Sequence, residues 1–390
     1  MKRTLINTSG SEESKENDND MDITQLIAGV QALEWGHIVM MAVGGVLIYL
    51  AIAKEYEPVL LLPIGVGCLL ANLPLSALTS EEGILTLFYQ AGVANELFPL
   101  LIFLGVGAMM DFRPLLAQPV FALMGAAGQF GIFGTLILAI LLGYDMNEAA
   151  SIGIIGAIDG PTSIYVSSLL APHMLGPIAV AAYSYMSMVP IIQPPIMRLM
   201  TTRAERRIHM EYAPRPVSRL ALILFPLVVT LIVGILVPQA APLIAMLMVG
   251  NLLKESGVVE RLSQSAQNEI INISTIFLGL AIGGTMTAES FLNLRTLGIL
   301  ALGLLAFVLD TAAGLLFGKL LCVLSGRRIN PLIGAAGISA FPMSGRLVQR
   351  IAQEEDFSNF ILMHAMGANT AGQLGSVIAG GILLALLGGG

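Results

Sequence analysis

One carboxylate, Asp159, stands in the middle of the apolar stretch GIIGAIDGPTSIY (Gly153 to Tyr165), followed at once by Gly160 and Pro161. The glycine adds backbone freedom, and the proline removes an N–H and clashes with the preceding turn, so a regular helix cannot continue through the pair. Neither a bare charge nor an unpaired carbonyl is tolerated against lipid. The stretch must therefore be packed inside protein, with Asp159 and freed carbonyl oxygens facing a polar cavity. An intramembrane acid in that setting points to an ion site. A structural carboxylate paired with a neighbouring arginine or backbone N–H is the alternative.

A second stretch, Asn330 to Pro342 (NPLIGAAGISAFP), has the same interrupted character. Pro331 and Pro342 break the helix, and Asn330 and Ser339 offer neutral oxygens. One carboxylate with amide, hydroxyl and backbone oxygens suits Na⁺, although a lone Asn or Ser also serves as interhelical glue. Tyr183 and Tyr185 precede the proline-broken run VPIIQPP (Val189 to Pro195), and Gln193 there corresponds to Asn369 in GANTAGQLGS (Gly367 to Ser376). The tyrosines read equally as interfacial belt residues or as phenols able to relay a proton. Asp310 is a second apolar-embedded acid and reads as structural. Lys319 lies nine residues on, a poor spacing for a direct pair. Arg346 and Arg350 follow the second broken stretch, either as topology markers or as an anion clamp, since guanidinium grips carboxylates bidentately.

These residues need a membrane scaffold, and the composition supplies one. The 390 residues are 56% hydrophobic and 12% charged, where a soluble domain carries about 25% charged residues. Cys68 and Cys322 lie in apolar runs without metal spacing, the four histidines lack an i, i+4 pair, and no phosphate-binding glycine loop occurs. Metalloprotease and ATPase readings are thereby excluded, and nothing suggests nucleic-acid binding. Residues 1–20 form an acidic tail expected to be disordered. Residues 21–37 read as an amphipathic interfacial helix before the first span.

Apolar segments follow at Ile38–Ala53, Pro58–Leu73, Leu97–Met110, Pro119–Gly143, Ser151–Leu170 and Gly176–Met200. A second set runs Leu220–Val237, Pro242–Leu253, Ile270–Ile282, Thr296–Leu324, Pro331–Met343 and Phe360–Leu387. Gly83 to Gln90 and Ile102 to Gly105 align without a gap onto Gly257 to Gln264 and Ile276 to Gly279. This pattern predicts an all-α, polytopic membrane protein built from two repeats, 38–210 and 211–390. Basic residues mark the loops at Lys54, Arg113, Arg198 to Arg207, Lys254/Arg261, Arg327/Arg328 and Arg346/Arg350. They share one side only if one segment per half is re-entrant, for which the broken ones, Ser151–Leu170 and Pro331–Met343, are the candidates. Each half then has about five crossings, an odd number, and the repeats are inverted. Arg295 alone fits this orientation poorly.

Four motifs, GAIDGPTSIYV (156–166), AAYSYMSMVPIIQPPIMR (181–198), GISAFPMSGR (337–346) and HAMGANTAGQLGSVIAGG (364–381), carry a family likeness. From Met21 to its end the chain resembles the beta subunit of the sodium-pumping biotin-dependent decarboxylases, which act on oxaloacetate, methylmalonyl-CoA or glutaconyl-CoA. The acidic extension has no counterpart there. The resemblance implies a translocase of the bacterial cytoplasmic (inner) membrane within an oligomeric complex. Its partners would be a carboxyltransferase alpha subunit, a biotinyl carrier and a small membrane gamma or delta subunit. Carboxybiotin delivered by the carrier would be decarboxylated here with proton consumption and Na⁺ export. By motif the resemblance implies Asp159, Asn330, Ser339 and Asn369 as sodium-site residues, Tyr185 as an essential tyrosine and Arg346 as the residue meeting carboxybiotin. A stand-alone Na⁺/H⁺ antiporter or sodium-coupled carboxylate symporter is the competing reading. A purely structural anchor would not need the intramembrane aspartate.

Overall fold

The computed structural model describes residues 28–210 and 216–388. The acidic tail and residues 21–27 of the expected interfacial helix lie outside the described residues. The rest of that helix departs from expectation. A helical turn at 28–31 ends before a break, and the first long helix, α1 (Trp35–Ala53), starts anew. His37 explains the restart, because its Nδ1 accepts the Glu34 N–H (3.1 Å) and caps the new helix.

Among the described residues every regular element is helical. The longer helices after α1 are α2 (Pro58–Ala71), α3 (Leu97–Met109), α4 (Phe121–Ala127), α5 (Phe130–Leu141) and α6 (Met146–Gly153). Then come α7 (Gly160–Leu170), α8 (Leu175–Ser187), α9 (Val189–Met200), α10 (Arg219–Leu236) and α11 (Ala241–Ser256). The chain closes with α12 (Ile271–Gly284), α13 (Leu294–Leu324), α14 (Met343–Glu355) and α15 (Leu362–Leu387). Five spans are long and apolar enough to cross a membrane: α1, the α4–α5 stretch Phe121–Leu141, α10, α13 and α15. Among the described residues two bent pairs, Ala77–Val93 with α3 (57°) and Pro172–Ser187 with α9 (64°), each form either a broken span or a re-entrant loop. The expected ten crossings are thus not all full-length helices. Helices α2, α11 and α12 fall where the apolar pattern puts them, but each is shorter than the roughly 20 residues that span a bilayer.

These short helices are held by other helices. Helix α2 packs in parallel on α12, where Gly67 meets Leu280 and Gly283 and Asn72 Nδ2 donates to the Met286 carbonyl (2.7 Å). Helix α11 packs the same way on α3. Gly250 meets Leu104, Gly107 meets Leu247, and Asn251 Nδ2 donates to the Met110 carbonyl (3.1 Å). A Cβ on Gly67, Gly107, Gly250 or Gly283 would run into main-chain atoms of the partner helix. Small residues that let backbones touch are how membrane helices gain contact without a hydrophobic driving force. A π turn precedes α3 (Tyr89–Val93) and another precedes α12 (Ala266–Ile270), so the two aligned stretches also share their irregularity.

Charges gather at one end. Arg113 pairs with Glu255 (2.8 Å), Arg206 with Glu355 (2.5 Å), Arg198 with Glu354 (2.6 Å) and Lys319 with Glu205 (3.4 Å). The start of α15 lies there too, with Gly367 against Pro114. At the opposite end Gly381 of α15 meets Ala240. Also at the far end, Arg295 is neutralised by the buried Glu148 (2.9 Å), which His173 approaches at 3.1 Å. That pair accounts for the one basic residue that fitted the loop pattern poorly. Asp310, fully buried on α13, accepts the N–H groups of Gly131 and Ile132 and caps α5, in keeping with a structural role, while its Oδ2 has no partner among the described residues.

Replacing Gly107 with alanine is expected to cost about 3 kcal/mol through this overpacking. The check is a lowered thermal midpoint of the purified protein in detergent. Gly45→Ala, whose Cβ would enter open space, should leave the midpoint unchanged.

Candidate ion site at the crossing of two broken helices

The first interrupted segment leaves α6 through a 3₁₀ turn (Ile154–Ala157). It passes Ile158 in the left-handed region (φ 54°) and turns extended at Asp159, the N-cap of α7. The second is a 3₁₀ stretch, Pro331–Gly337, that runs irregularly to α14. The two meet where the Ser339 N–H donates to the Ala157 carbonyl (3.1 Å).

Asp159 is 5% exposed and has no ion pair among the described residues. Its Oδ2 accepts from Thr162 Oγ1 (2.6 Å), Gln373 Nε2 (2.6 Å) and Ser376 Oγ (2.8 Å). All three donors are neutral, so the carboxylate is held by hydrogen bonds but not neutralised by them. Burying an ion without a partner costs several kcal/mol. A proton or a cation must therefore accompany this group, and the two compete for the same oxygens.

The surrounding carbonyls are accounted for one by one. Gln193 Nε2 and Ser344 Oγ both donate to the Ala335 carbonyl (2.9 Å each). Asn369 Nδ2 serves Ala336 (3.2 Å) and Ile338 (2.7 Å), while Gln129 Nε2 reaches Gly337 (3.3 Å). Gly128, at the break between α4 and α5, lies so close to the Gly337 carbonyl that a Cβ there would collide with it. Gln193 and Asn369, expected at corresponding places in the two halves, thus both serve the second broken segment.

Of the expected site residues, the fold brings three together. Asp159 and Ser339 line one cavity of about 210 Å³, and Ser339 Oγ donates to the Gly372 carbonyl (2.9 Å). Asn369 is buried beside them, and its Oδ1 has no hydrogen-bond partner among the described residues. Asn330 is not brought to the cavity. Its Nδ2 holds the Arg206 (3.0 Å) and Ile208 (2.9 Å) carbonyls, its Oδ1 caps Leu332 N–H (3.0 Å), and about 14 Å of 3₁₀ helix follows before Ser339. Asn359 grips the same two carbonyls.

Tyr185 points elsewhere as well. Its hydroxyl donates to the Leu300 carbonyl on α13 (2.5 Å), whereas Tyr183 lines the cavity with its ring against Gly160. Two residues apart on a helix means about 200° of rotation, so the pair faces opposite ways. Arg346 is exposed in the first turn of α14, shortly after the cavity-lining Phe341. Gln373 and Ser376 are site residues that motif reading missed. The available signal was helical spacing, since Asn369, Gln373 and Ser376 stand at i, i+4 and i+7 on α15. Among the described residues no three His, Cys, Asp or Glu side chains converge. Asp159 is met by two hydroxyls and one amide, with no thiolate or imidazole among them, a setting that fits a hard monovalent cation.

Gln193→Leu removes donors from the Ala335 carbonyl and Thr311 and the acceptor of Ser344. It should destabilise the protein by about 2–3 kcal/mol, read as a fall in the thermal midpoint in detergent.

Comparison with known proteins agrees over almost the whole chain. The family described as Na⁺-transporting oxaloacetate decarboxylase beta subunit matches residues 36–387. The chain is 52% identical over 362 residues to the glutaconyl-CoA decarboxylase subunit beta of Acidaminococcus fermentans, covering 93% of this chain and 96% of that one. It is 53% identical over 360 residues to the methylmalonyl-CoA decarboxylase subunit beta of Veillonella parvula, with 92% and 95% covered. With the oxaloacetate decarboxylase beta chain of Klebsiella pneumoniae the identity is 47% over 417 aligned positions, with 91% and 96% covered. A buried carboxylate at crossed helix breaks and this likeness lead to one conclusion: the chain belongs to the beta subunit family of the Na⁺-transporting decarboxylases.

Proposed function

We propose that this chain decarboxylates carboxybiotin delivered by a partner subunit and couples that step to Na⁺ export across a bacterial inner membrane, with one proton consumed. The observation that carries the proposal is Asp159, a buried carboxylate whose only partners among the described residues are neutral donors. Na⁺ is cargo here, held by Asp159 with the Asn369 and Ser339 oxygens. Decarboxylation of carboxybiotin leaves biotin lacking a proton on its ureido nitrogen, so one proton must arrive for each CO₂ released. A proton taken by Asp159 would weaken the hold on Na⁺, linking the two events. Exporting one charge costs about 2.3 kcal/mol per 100 mV of membrane potential.

The exposed Arg346 is placed in this scheme as the guanidinium that meets the carboxylate of carboxybiotin. Tyr185 contributes as a proton-handling phenol only when it releases the Leu300 carbonyl. Asn330 acts through the backbone it anchors. The partners in this reading are a carboxyltransferase, a biotinyl carrier and a small membrane subunit.

The two halves are proposed to be inverted repeats, with the basic end in the cytoplasm. Reciprocal packing of α2 on α12 and α11 on α3, the paired π turns and the two 3₁₀ interruptions support this arrangement.

The test is decarboxylation of free carboxybiotin by the purified protein, with and without Na⁺. Wild-type protein should release CO₂ in a Na⁺-dependent manner, and Asp159→Asn should reduce that release to background while still inserting in the membrane. Sodium-stimulated release retained by the variant would overturn the assignment of Asp159. Absence of release together with Na⁺/H⁺ exchange in proteoliposomes would replace the decarboxylase reading with the antiporter.

A further inference from the structure

The cavity holding Asp159 contains a second carboxylate that the scheme above does not use. Glu57, in the loop between α1 and α2, lines it together with Asp159, Tyr183, Asn272, Thr275 and Gln373. Among the described residues no Lys, Arg or His lines it. Glu57 belongs to the basic end, since Lys54 shares its loop, and Met109, also in the lining, gives its carbonyl to Lys254 Nζ (3.3 Å). The cavity therefore passes from the charged end of the molecule to the crossing of the broken helices.

Glu57 is half-buried, and its carboxylate has no ion pair or hydrogen bond among the described residues. Its backbone sits in the left-handed region (φ 36°, ψ 60°), where a residue with a side chain is strained and where one preceding proline would favour extended geometry. Glycine would suit that conformation better. An independent observation comes from the other wall. Tyr183 is 1% exposed, lines the cavity, lies within electrostatic reach of both carboxylates, and has a hydroxyl without a partner among the described residues. That leaves a fully buried phenol oxygen unmatched in a cavity that two acids line.

We propose that Glu57 is the outer carboxylate of a two-carboxylate path, drawing a small monovalent cation past the Tyr183 hydroxyl to Asp159. This rests on Asp159 binding Na⁺, as proposed above. At a basic rim an approaching Na⁺ would otherwise be repelled. One carboxylate in a low-dielectric mouth reverses the local field, and clefts lined by one sign of charge concentrate counter-ions at least about tenfold.

The experiment measures the Na⁺ concentration that half-saturates CO₂ release by the assembled complex. Glu57→Gln should raise it about tenfold, a larger proportional change than any in the maximal rate. Added choline chloride should partly narrow the gap between variant and wild type, because a half-buried carboxylate at a mouth that solvent reaches is still screened in part. Glu57→Gly removes the carboxylate while relieving the backbone, so it should show the same rise without a lower thermal midpoint. Wild-type half-saturation in both variants would overturn the role of Glu57, as would a fall in maximal rate alone. A wild-type complex indifferent to Na⁺ would instead overturn the underlying reading, and this path with it.

Discussion

A main-chain carbonyl without a donor costs several kcal/mol in a waterless interior, and the segment 335–338 presents four in succession. The molecule is organised around that debt. Three amides, Gln129 in the α4–α5 break, Gln193 on α9 and Asn369 on α15, converge on those four oxygens. The Ser339 N–H, freed by the same interruption, closes onto Ala157 of the other broken segment. With those groups matched, Asp159 stands nearby as a buried carboxylate whose partners among the described residues carry no counter-charge. Satisfying the backbone with neutral side chains leaves the site free to take its charge from solution.

The helix-scale plan was legible because apolar length and proline position are local properties. The predicted segments Leu97–Met110, Leu220–Val237 and Thr296–Leu324 became helices within a residue or two of their expected limits. The broken character of both central stretches was also readable, since Gly160-Pro161 and Asn330-Pro331 cannot propagate a helix. The break at Gly128–Gln129 was not. It arises because another chain segment passes against Gly128, a tertiary fact with no local mark.

The site divides along the same line. Asp159 was legible by its charge in an apolar run, and Ser339 by its hydroxyl in the stretch that Pro331 and Pro342 break. Gln373 and Ser376 were overlooked because neutral polar residues on a membrane helix have several ordinary uses, and only the Asp159 contact selects this one. The opposite facing of Tyr183 and Tyr185 follows from helix rotation, but which of them meets the cavity depends on where α13 lies. Asn330 shows the reverse case: a plausible ligand by type that the fold employs as a main-chain clasp.

That clasp bears on how the stretch after α9 is tied to later parts of the chain. The carbonyls of Arg206 and Ile208 are each held by Asn330 and Asn359, and the Arg206 guanidinium grips Glu355 at the end of α14. A connection between membrane helices is commonly pictured as slack rope. The stretch that follows α9 is a riveted bracket, fastened to the second broken segment on one side and to the α14–α15 corner on the other. Any displacement of α14 must carry the end of α9 with it, so the two move as one lever arm.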